Sequence, residues 1–98
     1  MKMKYYFNLK IKSLNKTNII AFLMSDFVLF LEKFNLNDIT IMTTQVRLLD
    51  KTLGEINFQI EIMQQQNYDS IIKKITLFLD NIKNEYNINY ELIECKEI

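Results

Sequence analysis

An α+β fold is predicted by the order of the hydrophobic rhythms along the chain: period two, period 3.6, two further stretches of period two, period 3.6 again, and a final strand-like stretch, all within 98 residues. Two other features agree with it. The only glycine lies between the second and third strand-like stretches, where a hairpin is needed, and the lysine-rich opening of the chain has a glutamate-rich counterpart at its end. A chain of this length forms one domain whose core buries roughly 60 to 65% of the surface exposed when unfolded.

The first strand is read from Tyr5, Phe7, Leu9 and Ile11 alternating with Tyr6, Asn8, Lys10 and Lys12, which puts one face in a core. After the polar stretch 13–18, Ile20, Leu23, Phe27, Phe30 or Leu31, and Phe34 recur as the stripe of an amphipathic helix, with Thr17 or Asn18 as its cap. Asn35, Asn37 and Asp38 end that helix. Residues 39–50 read as a β-branched strand whose phase slips: Ile39 and Ile41 carry the pattern on odd positions, Val46 and Leu48 on even ones. A β-bulge near residues 43–45 is predicted to restore the facing.

Gly54 is expected to serve the hairpin turn at 51–55, where a residue tolerant of positive φ is needed. The third strand alternates Ile56, Phe58, Ile60 and Ile62 with Asn57, Gln59, Glu61 and Met63. A second helix is announced by Asn67 and Asp69 as candidate caps and carries Ile71 or Ile72, Ile75, Phe78 or Leu79, Ile82 and Tyr86 on one face. Asn84, Asn87 and Asn89 mark its exit, and 90–98 is the last strand.

Two strand–helix–strand halves joined by a hairpin make a ferredoxin-like βαββαβ plait: a single domain over 1–98, with a four-stranded antiparallel sheet in the order 4-1-3-2 and two helices on one face. Phe7, Leu9, Phe58 and Ile60 are then expected at the buried centre of the sheet. The first and last strands lie side by side, which is expected to bring Lys2 and Lys4 near Glu94 and Glu97, and Lys10 near Glu91. Such cross-strand charge pairs contribute roughly 0.2 to 1 kcal/mol each.

Composition excludes more than it proposes. There is no His, no Trp, one Arg and one Cys, and twelve Lys plus Arg balance twelve Asp plus Glu. Cys95 has no second thiol for a disulfide and no His to join it at a metal or to activate it as a nucleophile, so no cofactor and no metal are expected, and a reducing, cytoplasmic setting is. The longest apolar stretch, 19–31, contains Ser25 and Asp26 and falls short of the roughly 20 residues of a membrane span. The opening residues lack the apolar run of a secretory signal. Ile, Asn and Lys fill more than a third of the positions, a bias that AT-rich codons produce.

Four readings of the surface follow. The open face of the third strand carries Asn57, Gln59 and Glu61, and the first strand adds only Tyr6 as an aromatic, which argues against a base-stacking platform for nucleic acid; a glutamate in the middle of the face would repel phosphates. Lys10, Lys12 and Lys16 near the start of the first helix are candidate anion contacts, although the loop has no glycine to wrap a phosphate. The carboxylates Asp38, Asp50 and Asp69 fall at element ends and Asp26 and Asp80 on helix surfaces, so capping and turn roles account for them and an enzyme is disfavoured.

The first helix, by contrast, carries more phenylalanine than one stripe requires, and Phe22 and Leu29 fall partly outside the stripe; a wide core-facing arc accounts for them, and an exposed patch for self-association or a partner is the alternative. Edge strands two and four offer a further route to a partner. The expectation is a protein-binding module without catalysis. Its finer form is a stoichiometric inhibitor or accessory protein, of phage, plasmid or immunity type, that contacts a protein partner or a second copy through Phe22, Leu29, Tyr6, Glu61 and Ile93. A nucleic-acid-associated domain and a metabolite-sensing regulatory domain are the alternatives.

Overall fold

The structure, a computed structural model, describes residues 2–14, 19–33 and 39–97, with the side chains of 43 and 95–97 left aside. The elements run β1 (Met3–Ser13), α1 (Ile20–Glu32), β2 (Ile39–Asp50), β3 (Leu53–Ile62), α2 (Gln66–Tyr86) and β4 (Ile88–Glu97). The fold is α+β, two helices against an antiparallel sheet. Among the described residues the sheet has four strands in the order β2-β3-β1-β4, with β1 and β3 central.

Parity decides the faces. In the β1–β3 pairing Phe7 opposes Phe58 and Leu9 opposes Ile56, and every second residue of both strands is buried. Phe7 stacks on Phe58 with centroids 5.0 Å apart, and Phe27 of α1 tilts onto Phe58 at 5.7 Å and onto Phe78 of α2 at 6.0 Å. Tyr68 of α2 lies over Tyr5 at 4.5 Å. Both helices therefore cover the same sheet face, and Phe7, Leu9, Phe58 and Ile60 lie at the core's centre, as their alternation requires.

The helices stand on different supports. In α2, Ile71, Ile75, Leu79 and Ile82 form the buried stripe, Asp69 in the first turn and Lys83 in the last complement the helix dipole, and Asn87 at φ 53° ends the helix in the left-handed region that asparagine tolerates. Helix α1 has no side-chain cap on Ile19, no acid in its first turn and no base in its last. Burial of Ile20, Leu23, Met24, Phe27 and Leu31 is what holds it.

Several local expectations are corrected. Gly54 is not a turn residue: no glycine has positive φ, and Gly54 is buried inside β3, opposite Ile11. A methyl group there would overlap Met24 Sδ and come within 2.8 Å of Ile20 Cγ2, so the glycine makes room for α1 to approach the sheet. The turn is closed instead by Asp50, whose Oδ1 accepts from the Thr52 amide at 2.9 Å and its hydroxyl at 3.3 Å.

Asn67 and Asp69 lie inside α2, which begins at Gln66 because the amides of Asn67 and Tyr68 already donate to the carbonyls of Gln64 and Gln65. Thr17, Asn18 and Phe34 lie outside the described residues. The slip expected near 43–45 of β2 falls between Ile41 and Thr43, and a second, unexpected one follows between Leu48 and Asp50. Lys2 and Lys4 do not pair with Glu94, and the side chain of Glu97 lies outside the described ones. Lys2 pairs with Glu61 at 3.7 Å and Lys4 opposes the same residue, while Glu94, opposite Phe7, accepts from the Tyr68 hydroxyl at 2.7 Å. The lysines sit on even positions of β1 and Glu94 opposes an odd one, so they lie on opposite faces.

Candidate functional site: two contact surfaces

The five residues expected at a partner contact divide between two sides of the molecule. Phe22 and Leu29, seven positions and so about two helical turns apart, stand on the outer side of α1 at 54% and 57% exposure; Leu77 of α2, at 63%, joins them on the outer helical layer. Between the helices runs a groove of about 620 Å³ lined by Asp26, Leu29, Phe30, Glu32, Lys33 and Phe78. Phe30 and Phe78 stack at 4.3 Å and form its aromatic floor, and the acids and the lysine form its rim.

Tyr6, Glu61 and Ile93 lie on the other side, on the open sheet face, because Tyr6 is an even residue of β1, Glu61 opposes Lys4, and Ile93 opposes Asn8. This face is polar and paired. The Asn8 side-chain amide donates to Asn57 Oδ1, Arg47 meets Glu55 at 3.6 Å, and Glu61 is taken by Lys2. Glu61 also lies near the end of the face, where β3 stops at Ile62, and not in its middle.

The two described lysines of the expected anion site, Lys10 and Lys12, are exposed on the same face, and Lys16 lies outside the described residues. Lys10 stands in register between Glu55 of β3 and Glu91 of β4. Lys12 faces the hairpin, where the amide of Thr52 holds the Asp50 carboxyl below its ordinary pKa and Lys12 adds a smaller push in the same direction. Both lysines line a shallow pocket of about 210 Å³ with Leu53, Asn89, Tyr90 and Glu91, a mixed-charge lining.

Two tyrosines bind α2 to β4. The Tyr90 hydroxyl donates to Asp80 Oδ1 at 2.6 Å, and burial, with that hydrogen bond second, pushes its pKa up to about 12. Tyr68 is raised further by burial and by Glu94. Asp80 is thus a hydrogen-bond acceptor on the helix flank. Among the described residues no three His, Cys, Asp or Glu side chains lie together in a way that could hold a metal ion, and no helix is long and apolar enough to cross a membrane.

Sequence reasoning passed over Leu77, which helical spacing places off the Ile71–Ile75–Leu79 stripe, and passed over the exposure of β2. Beyond its first slip, β2 sets Val46 opposite Ile56 and Leu48 opposite Gly54, on the helix-side face, yet they are 49% and 54% exposed. The helices leave them half exposed, and no spacing rule within β2 carries that information.

No family model matches the chain, and no curated protein matches it. Its fold resembles part of several solved structures. An amidase of the hydantoinase/carbamoylase family from Burkholderia phymatum aligns with a TM-score of 0.73 at 12% identity, over 97% of this chain and 28% of that one. The YXEP protein of Bacillus subtilis, a dinuclear metal-binding peptidase of the M20 family, aligns with a TM-score of 0.67 at 15% identity, over 100% of this chain and 27% of that one. A de novo designed protein with ferredoxin fold, LFR1, aligns with a TM-score of 0.57 at 18% identity, over 96% of this chain and 84% of that one. The fold is ferredoxin-like, and the chain spans less than a third of the length of the two enzymes.

Proposed function

We propose that this chain is a non-enzymatic protein-binding module that engages a larger macromolecule through the outer surface of its helices. The observation that carries the reading is the exposed set Phe22, Leu29 and Leu77 beside an aromatic-floored groove with a charged rim. An apolar centre within a polar border is the anatomy of a protein contact, and single exposed leucines elsewhere need no such explanation. Within this reading the finer role is that of a stoichiometric inhibitor or accessory protein. A footprint of standard size, roughly 800 Å² per partner, would take up a sizeable share of so small a surface.

A second reading is favoured by the structural comparisons: the chain serves as an accessory domain beside a hydrolase-type catalytic domain, since almost all of it aligns within under a third of an amidase and of a peptidase. That role is also one of contact. The test is capture from the native host with Leu29→Asp and Phe22→Asp variants. Loss of the captured partner with an unchanged melting temperature supports the module. Undiminished capture, together with a single Asp, Glu or Lys proving indispensable for turnover of a small substrate, would overturn it.

A further inference from the structure

We infer that β2 is a self-association edge: two copies of the chain pair antiparallel through the 43–50 segment of β2 about a two-fold axis perpendicular to the sheet, forming one continuous sheet. This inference rests on the reading of the chain as a contact module, and it uses a different surface from the outer helical layer assigned above to another macromolecule.

The two edges of the sheet are built differently. Along β4, Glu91, Glu94, Lys96 and Glu97 fall within ten residues, a charge density of the kind that keeps strand edges from pairing. Along the twelve residues of β2 only Arg47 and the terminal Asp50 are charged, and Met42, Val46, Leu48 and Leu49 are all exposed apolar side chains. Among the described residues, strand β2 has one neighbour in the sheet, β3. The edge that carries the apolar side chains is thus the one without charged guards.

The occupant that fits is a second copy. A two-fold axis perpendicular to the sheet keeps both helical layers on the same side, so the helix-side faces of the two β2 strands adjoin. In any register that opposes residues of like parity, Thr44, Val46 and Leu48 of one copy meet the same set of the other and complete the cover that α1 leaves unfinished. Arg47 points to the open face and is already neutralised by Glu55 at 3.6 Å, so the pairing brings no naked like charges together.

The available area also suffices. The eight paired residues span about 26 Å, and with a short axis of 20 Å the flank is on the order of 500 Å² per partner, so the two copies together reach the roughly 1,000 Å² that a specific contact should clear.

The test is sedimentation of the wild-type chain over about a hundredfold range of concentration, with Val46→Lys and Leu48→Lys variants and Asn89→Lys as the control on the exposed surface of β4. The expected result is a wild-type dimer, at least tenfold weaker self-association in both β2 variants, and an unchanged dimer in Asn89→Lys. Amide hydrogen exchange guards against variants that fail to fold: in the wild type, the 43–50 segment should gain protection as concentration rises while β4 does not. A wild type that stays monomeric throughout, or a dimer that survives both β2 substitutions, overturns the inference. Either outcome leaves the contact-module reading to its own test on α1, and loss of partner capture there with β2 self-association intact would confirm that the surfaces are separate.

Discussion

Two buried positions carry the largest single-residue consequences. Phe58 touches Phe7 and Phe27 at once, so it joins β1, β3 and α1 in a single contact set. Replacing it with alanine removes the ring and leaves a cavity between layers that cannot fully collapse; Phe58→Ala is expected to lower stability by about 3 to 5 kcal/mol. Chemical denaturation checks this, and a loss below about 1 kcal/mol would contradict the facing of β3. At Gly54 the argument runs the other way, from crowding. Gly54→Ala forces Met24 and Ile20 aside, and overpacking of this kind costs about 1 to 3 kcal/mol. Shortening Met24 in the same chain should recover part of that loss, which a cost from backbone conformation alone would not allow.

At the scale of elements, the junction of α2 and β4 depends on pH through its tyrosines. Tyr90 has its folded-state pKa raised to about 12 from 10.0, so the neutral, hydrogen-bonded form is the one the fold favours. The stability it contributes is complete below about pH 10 and is lost as the pH rises toward 12, with Tyr68 acting in the same direction. Tyr90→Phe should therefore flatten the alkaline loss of stability in that window, measured as melting temperature against pH. The hairpin between β2 and β3 has the opposite sign. Asp50 is held below its ordinary pKa by the Thr52 amide, so its contribution is present at neutral pH and lost as the pH falls through the lowered value. Asp50→Asn should lessen the acid sensitivity of the hairpin's amide exchange.

Across the whole molecule one core takes its buried side chains from five of the six elements, from Met3 in β1 to Ile88 in β4, and Ile39 and Ile41 of β2 pack against it partly buried. No part of it is separable, so heat and denaturant are expected to unfold the chain in a single cooperative transition, with coincident curves from far-ultraviolet dichroism and tyrosine fluorescence. A reproducible intermediate would show that one of the two strand–helix–strand halves stands on its own. The contact surfaces lie outside this core, which is why substitutions at Phe22, Leu29, Val46 and Leu48 can test function without first testing the fold.

What the sequence determined by itself is whatever repeats at short range. The alternation in β1 and β3 places their share of the core to the residue, and the stripes of α1 and α2 place most of theirs, with Met24 missed and Tyr86 only partly buried, because a buried face must recur every second position in a strand and every three or four in a helix. That Phe22 and Leu29 fall partly outside the α1 stripe was legible for the same reason, whereas their exposure was not, because a wider core-facing arc fits the same spacing. What tertiary structure alone decided depends on neighbours far along the chain. Gly54 reads as a turn until Met24, thirty positions earlier, is seen to occupy the space of its missing side chain. Lys2 and Lys4 find Glu61 and not Glu94, since face and register arise only when three strands are assembled. Val46 and Leu48 carry a core-like pattern and remain half exposed, because whether a helix reaches over the edge of a sheet is a matter of packing geometry, and no local rhythm encodes it.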